Sequence, residues 1–130
     1  MIKTQLPPLI SIVTVVFNGV STIEDTINSV LSQQYSNFEY IIVDGGSTDG
    51  TIEIIKRYES KITAWVSTPD DGIYDAMNKA LGLISGDFVL FLGCDDLLLG
   101  DDVLSTAANK IHDRNFVYYG NVVMKKSGAI

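Results

Sequence analysis

The chain carries a single cysteine, Cys94, in 130 residues. One thiol excludes an internal disulfide and a cysteine-rich zinc site, and it reads most simply as a chain of a reducing compartment. Basic residues are scarce too: nine against sixteen acidic ones, a net charge of −7. That balance argues against sequence-independent binding of DNA or RNA, which needs a basic face to displace counterions from phosphates. Long hydrophobic runs are also missing. The most apolar stretch near the start, Leu9 to Phe17, is interrupted by Ser11 and Thr14 and is too short to span a bilayer. Lys3 only weakly imitates a signal-peptide start and no small-residue cleavage site follows, so the expectation is an unexported, cytoplasmic chain. No repeat, low-complexity tract or Pro/Gly/Ser-rich linker divides the sequence, which reads as a single domain over residues 1–130.

Hydrophobic residues make up 46% of the chain against 19% charged, the balance of a folded globule with a core and not of a solvated tail. Element types alternate along it. Ile10 to Phe17 is a β-branched run that predicts a strand; Ser21 to Glu24 then has the form of a capping box ahead of Ile23, Ile27, Val30 and Leu31 at helical spacing. Phe38 to Val43 predicts a second strand ending at Asp44-Gly45-Gly46. A helix over Thr51 to Tyr58 follows, with Ile52 and Ile55 on one face and Asp49 as its cap. Ile62 to Val66 predicts a third strand. After Thr68-Pro69-Asp70-Asp71-Gly72, the residues Ile73, Met77, Ala80, Leu81 and Ile84 form an apolar stripe, with Gly86 closing that helix. Asp87 to Leu92 reads as a fully buried fourth strand, Asp102 to His112 as a helix, and Phe116 to Met124 as a fifth strand. Strands alternating with helices predict an α/β fold with a mostly parallel sheet and helices on both faces.

In open parallel sheets ligands bind outside the carboxyl ends of the strands. The segments there are Phe17-Asn18-Gly19, Asp44-Gly45-Gly46, Pro69-Asp70-Asp71-Gly72 and Gly93-Cys94-Asp95-Asp96. Seven of the sixteen acids (Asp44, Asp49, Asp70, Asp71, Asp75, Asp95, Asp96) fall in or just after three of these loops, although like charges repel, so a cation is expected at this edge. Asp95 and Asp96 are hard oxygen ligands suited to Mg²⁺ or Mn²⁺ shared with a substrate's phosphates; alone, the pair equally well opens a turn. Asp44 to Gly50 joins an acceptor, backbone freedom and a helix start, suited to a nucleoside or simply to a turn plus a cap. It is no dinucleotide fingerprint, because Ser47 stands where the second glycine would be, and no G-K-[ST] exists for a P-loop. Asp75 and Lys79, four apart, form a surface ion pair or turn Lys79 to the crevice beside Tyr74 and Asn78. His112 and Cys94 read as structural.

Taken in order, Thr14-Val15-Val16-Phe17-Asn18, Ile42 to Thr51, Gly72-Ile73-Tyr74-Asp75-Ala76-Met77-Asn78-Lys79, Gly86-Asp87 and Asp95-Asp96 resemble the N-terminal half of a family 2 glycosyltransferase with the GT-A fold. The resemblance covers nearly the whole chain. It implies a nucleotide-diphosphate sugar donor, often UDP-linked, held with Mn²⁺ or Mg²⁺, and a glycan or lipid-linked acceptor. Transfer would proceed with inversion in cell-surface polysaccharide or glycan synthesis. By similarity Val16, Phe17 and Asn18 flank base and ribose, Asp44 with Gly45 meets the base, Lys79 lies near the nucleotide, Asp95 lies near the ribose and metal, and Asp96 is the direct metal ligand. It leaves room for peripheral attachment at the inner face of a membrane and for self-association.

Three departures from the family pattern stand out. Gly93 replaces a frequent Asn or Asp, Asp71 replaces a common Lys, and no candidate appears for the general base that inversion requires. The base and the acceptor-binding half are expected beyond residue 130. The chain is thus expected to bind donor nucleotide but to transfer sugar poorly, either as a truncated enzyme or as a donor-binding half. A non-catalytic remnant that binds nucleotide or a partner is the alternative. A signalling receiver domain would instead need acids directly after the first strand, where Phe17-Asn18-Gly19 stands.

Overall fold

The computed structural model describes residues 7–110. Eight elements alternate: β1 (Ile10–Val16), α1 (Ile23–Leu31), β2 (Phe38–Asp44), α2 (Thr51–Arg57), β3 (Ala64–Ser67), α3 (Ile73–Leu81), β4 (Phe88–Phe91) and α4 (Val103–Lys110). The four strands form one parallel sheet in the order β3-β2-β1-β4. The expected α/β architecture is therefore present; the predicted fifth strand and His112 lie outside the described residues.

Strand alternation divides the core in two, because successive side chains point to opposite faces. Ile10, Ile12 and Val16 of β1 with Tyr40 and Ile42 of β2 face α1, α2 and α4, packing against Ile23, Ile27, Val30, Ile54, Ile55 and Leu104. Val13, Ile41 and Val43 face the other way, onto Ala76 and Ala80 of α3. Thr14 and Tyr40 are buried on the first face and bond hydroxyl to hydroxyl at 2.8 Å, so neither polar atom is orphaned. Burial pushes the Tyr40 phenol up, well beyond its ordinary range.

Several sequence expectations give way to local geometry. The apolar stripe of α3 holds only in part: Ala80 is buried and Ile84 packs on the core, as expected. Its buried residues are the small Ala76 and Ala80, which let the helix lie close to the sheet, while Ile73 is 53% and Leu81 49% exposed. On α2 the buried isoleucines are Ile54 and Ile55, and Ile52 is half-buried. β4 is not fully buried. It lies at the edge of the four-stranded sheet, with Leu90 packed toward the core and Val89 and Phe91 exposed on the face that α3 only partly covers. The capping box does not form: Thr22 occupies the N-cap without a side-chain bond, and Glu24 instead accepts the Tyr58 hydroxyl of the next helix at 2.6 Å.

Gly86 does not end α3, whose C-cap is Gly82. It marks a close crossing, since a Cβ there would lie 2.4 Å from Ser11 Oγ and 2.8 Å from the Leu9 carbonyl. Around it, Glu39 accepts from the hydroxyls of Ser11 and Ser85 and from the Ser85 N–H, while Ser11 Oγ accepts from Gly86 N–H. This knot fastens the α3–β4 connection to the amino end of the sheet.

Candidate active site

The strand order reverses direction between β1 and β4: the chain winds outward through β2 and β3 and returns to place β4 against β1. Loops after β1 and β4 thus flank a topological switch point at the carboxyl edge, the usual ligand crevice of such sheets.

The loops after β1 and β2 form one hydrogen-bonded unit. Asn18, at φ 51, receives its left-handed turn because its side-chain oxygen accepts Thr48 N–H at 2.9 Å while its own N–H donates to Ser47 Oγ at 2.7 Å. Gly19 N–H donates to Thr51 Oγ1, and Val20 N–H to Asp49 Oδ2. Asp49 also accepts from the Thr51 hydroxyl and N–H, which keeps its carboxyl below the ordinary range. It closes the start of α2 from one residue before the Gly50 cap.

Asp44 is fully buried at the end of β2. Its Oδ2 accepts from Gly46 N–H, Ser47 N–H and Ser67 Oγ, and its Oδ1 accepts from Ser47 Oγ. Every bond serves its own loop or the neighbouring strand. Asp44 is expected to accept a hydrogen bond from a base; here it shares the face of Tyr40 and Ile42, whereas Val43 and Gly45 lie toward the opposite, α3, side.

On that α3 side a cavity of about 350 Å³ opens between strand ends and helix, lined by Val15, Val16, Phe17, Gly45, Asp70, Gly72, Ile73 and Ala76. Its size and mainly apolar lining with one carboxylate suit a small planar group. Phe17 is 62% and Tyr74 79% exposed, which leaves aromatic surface at this edge of the molecule.

The segment Gly72 to Lys79 acts on the adjoining loop. Asp75 accepts Asp71 N–H at 3.0 Å, the contact that chiefly holds its carboxyl below the ordinary range, and pairs with Lys79 at 3.5 Å. Lys79 Nζ donates to Thr68 Oγ1 and to the Pro69 carbonyl. The Asp75–Lys79 pair is thus more than a surface ion pair: it braces the loop that carries Asp70.

After β4, Asp95 and Asp96 are both exposed. Asp96 Oδ2 accepts Gly93 N–H at 3.1 Å, and a Cβ at position 93 would lie 3.0 Å from that oxygen, so the glycine lets the carboxylate fold over the turn. No group of three or more His, Cys, Asp or Glu side chains able to hold an ion occurs among the described residues. Two exposed carboxylates nonetheless fit Mg²⁺ or Mn²⁺, ions that commonly take one or two protein carboxylates and fill the remaining positions with phosphate oxygens and water. Cys94 between them and the core is half-buried, and burial followed by the Asp95 charge pushes its thiol up, away from reactivity.

What fixes this acidic loop escaped the sequence reading. Thr26, fully buried on α1, has its single hydroxyl proton between the carbonyls of Cys94 and Asp96, at 2.9 and 2.7 Å. Ser29 Oγ accepts Leu98 N–H, and Gln33 donates to the Gly100 carbonyl while accepting Leu104 N–H. Thr26, Ser29 and Gln33 recur at i, i+3 and i+7, a polar stripe beside the apolar one, and that spacing was the available signal.

Fold and site together define a parallel α/β domain with an apolar cavity and an acidic loop at its carboxyl edge. The chain belongs to glycosyl transferase family 2, whose model matches residues 11–129. A PGL/p-HBAD biosynthesis glycosyltransferase of Mycobacterium bovis is 34% identical over 125 residues, covering 92% of this chain and 49% of that protein. Staphylococcus aureus TarS 1–349 in complex with UDP-GlcNAc superposes with a TM-score of 0.71 at 30% identity, over 77% of this chain and 30% of TarS 1–349. The mannosyltransferase PcManGT of Pyrobaculum calidifontis, in complex with GDP-Man and Mn²⁺, gives 0.71 at 26% identity, over 80% and 31%. The chain spans half or less of the length of these relatives. The GT-A architecture and family expected from the motifs are therefore shown. No helix among the described residues is long and apolar enough to cross a membrane.

Proposed function

We propose that residues 7–110 form the donor site of a metal-dependent glycosyltransferase on the cytoplasmic side of a membrane. Its sugar would come from a nucleotide diphosphate, UDP in the first instance, and pass with inversion to an acceptor hydroxyl of a cell-surface glycan or polysaccharide. The observation that carries this reading is the cavity beside Phe17 and Gly45 on the same sheet edge as the Asp95-Asp96 loop. A base would fill the cavity against Phe17, and Asp95 and Asp96 would hold Mn²⁺ or Mg²⁺ with the diphosphate. When bound, the ion neutralises charge developing on the leaving diphosphate. Lys79 serves the nucleotide indirectly, by holding the loop from Thr68 to Asp70.

Thermal unfolding tests the proposal. Saturating UDP with Mn²⁺, at about 100 times its dissociation constant, adds about 2.7 kcal/mol, a shift of several degrees at this size. The shift is expected to need the metal and to lose that dependence in Asp96→Ala. Equal silence toward UDP, GDP, dTDP and CDP with Mn²⁺ would reject the donor site and leave a remnant without nucleotide.

A further inference from the structure

The cavity holds one carboxylate, and it is not the one at the end of β2. A Cβ at position 45 would lie 2.7 Å from Asp70 Oδ2, 3.1 Å from its Cγ and 3.2 Å from its Oδ1. The Asp70 carboxylate therefore occupies the space that a side chain on residue 45 would fill. Residue 45 is the strand-end position that points to the cavity, since Asp44 points to the opposite face. Gly45 is not in the left-handed region, so its lack of a side chain is not demanded by backbone conformation. What it provides is room for Asp70.

The loop is built to hold that carboxylate. Asp70 Oδ1 accepts Gly72 N–H at 3.1 Å, Asp71 N–H is held by Asp75, and Lys79 grips Thr68 and the Pro69 carbonyl. Oδ2 has no hydrogen-bond partner among the described residues. One oxygen is thus spent on the turn and the other left as an acceptor on the cavity wall.

The geometry points to Asp70 as the residue that selects the nucleobase. A carboxylate accepts and does not donate. Beside a stacked base it favours a ring N–H on the Watson–Crick edge: N3–H of uracil or thymine, or N1–H with the amino group of guanine. Cytosine and adenine present a bare ring nitrogen at that position and would leave two acceptors facing each other. The selected class is therefore a nucleoside diphosphate with a ring N–H donor. This inference rests on the donor-site reading and adds to it which residue chooses the base.

Asp70→Asn is the informative change, because its amide oxygen can keep the Gly72 N–H while its NH₂ takes the place of Oδ2 and turns the acceptor into a donor. Calorimetric titration with Mn²⁺ and UDP, GDP, CDP or ADP reads the outcome. The unmodified chain is expected to favour UDP or GDP over CDP and ADP by about tenfold or more, the scale of one hydrogen bond to a charged group. Asp70→Asn should lose most of that preference. Which of UDP and GDP binds tighter distinguishes the two base types. A reciprocal pair guards against loop damage: Gly45→Asp alone should bind all diphosphates more weakly, because two carboxylates collide, whereas Gly45→Asp with Asp70→Gly should regain the preference from the other side of the same gap. Asp70→Asn that folds, by an unchanged unfolding midpoint, and keeps the original preference would overturn the assignment while leaving the donor site standing. Failure of the unmodified chain to bind any of the four would overturn both.

Discussion

At the scale of single residues, a carboxylate's role follows from where its lone pairs go. Asp44 has four donors and no access to solvent, so its negative charge is offset within the loop from Asp44 to Ser47 and by Ser67. Asp44→Asn would set an NH₂ among donors and leave at least one of them unpaired. Bonds to a charged group contribute about 1.5–3 kcal/mol each, so a loss on the order of 3 kcal/mol is expected, seen as a lower midpoint in urea with the slope unchanged. Since the side chain faces away from the cavity, the base preference of the remaining folded protein should not move. A stable Asp44→Asn protein with an altered base preference would return Asp44 to the site.

At the scale of elements, α1 performs two tasks with two stripes: Ile23, Ile27 and Val30 pack the sheet, and Thr26 and Ser29, with Gln33 just past its C-cap Ser32, pin the chain from Cys94 to Leu104. Thr26→Val keeps the shape and removes the hydroxyl, leaving the carbonyls of Cys94 and Asp96 without it. A stability loss of about 1–3 kcal/mol is expected. Affinity for Mn²⁺ with UDP should also fall several-fold, although neither Asp95 nor Asp96 changes, and Thr26→Ser should recover both. Unaltered Mn²⁺ dependence in Thr26→Val would show that the loop holds its geometry unaided.

The same elements show what can be read from sequence. Apolar runs closed by Asn-Gly, Asp-Gly, Pro-Asp and Gly-Cys turns marked all four described strands and the edge where the site lies, because local pattern determines which segments extend and where they stop. Pattern could not tell that Val89 and Phe91 of β4 stay exposed, nor that α3 lies on the sheet through Ala76 and Ala80 with Ile73 and Leu81 left out, because both depend on neighbours distant in the chain. The motif marks Asp44 as an acceptor at a strand end, but which face it takes follows from the alternation of Val43, Asp44 and Gly45 against the two cores. Asp70 passed as one acid of a turn; only the space above Gly45 distinguishes it.

At the scale of the whole molecule, acid should weaken the fold through the ends of the sheet. The carboxyls of Glu39, Asp49 and Asp75 lie below their ordinary range. Burial pushes Glu39 up, but the Ser11 and Ser85 donors together outweigh it; the Thr51 hydroxyl lowers Asp49; the Asp71 N–H, followed by the Lys79 charge, lowers Asp75. Each group binds its proton less readily folded than unfolded. Its contribution is therefore complete above the unfolded values, about 4, and is lost as pH falls through the lower folded values. Protonation relieves repulsion within a chain of net charge −7 only down to its isoelectric point, about pH 4.4, and acts in the opposite direction there. That relief is largely screened at 0.15 M salt, where the Debye length is about 8 Å, so the hydrogen-bond loss should win. Thermal unfolding midpoints are expected to stay flat above about pH 5 and to drop below about pH 4. Glu39→Gln should start about 1–3 kcal/mol lower at neutral pH, from unpaired donors, and fall less steeply in acid, because glutamine has no proton to gain. Glu39 fastens Ser85 and Gly86 at the entry to β4, and β4 leads to Asp95 and Asp96, so acid should loosen the metal loop along with the fold. An acid slope identical in Glu39→Gln and the unmodified chain would place the acid sensitivity elsewhere.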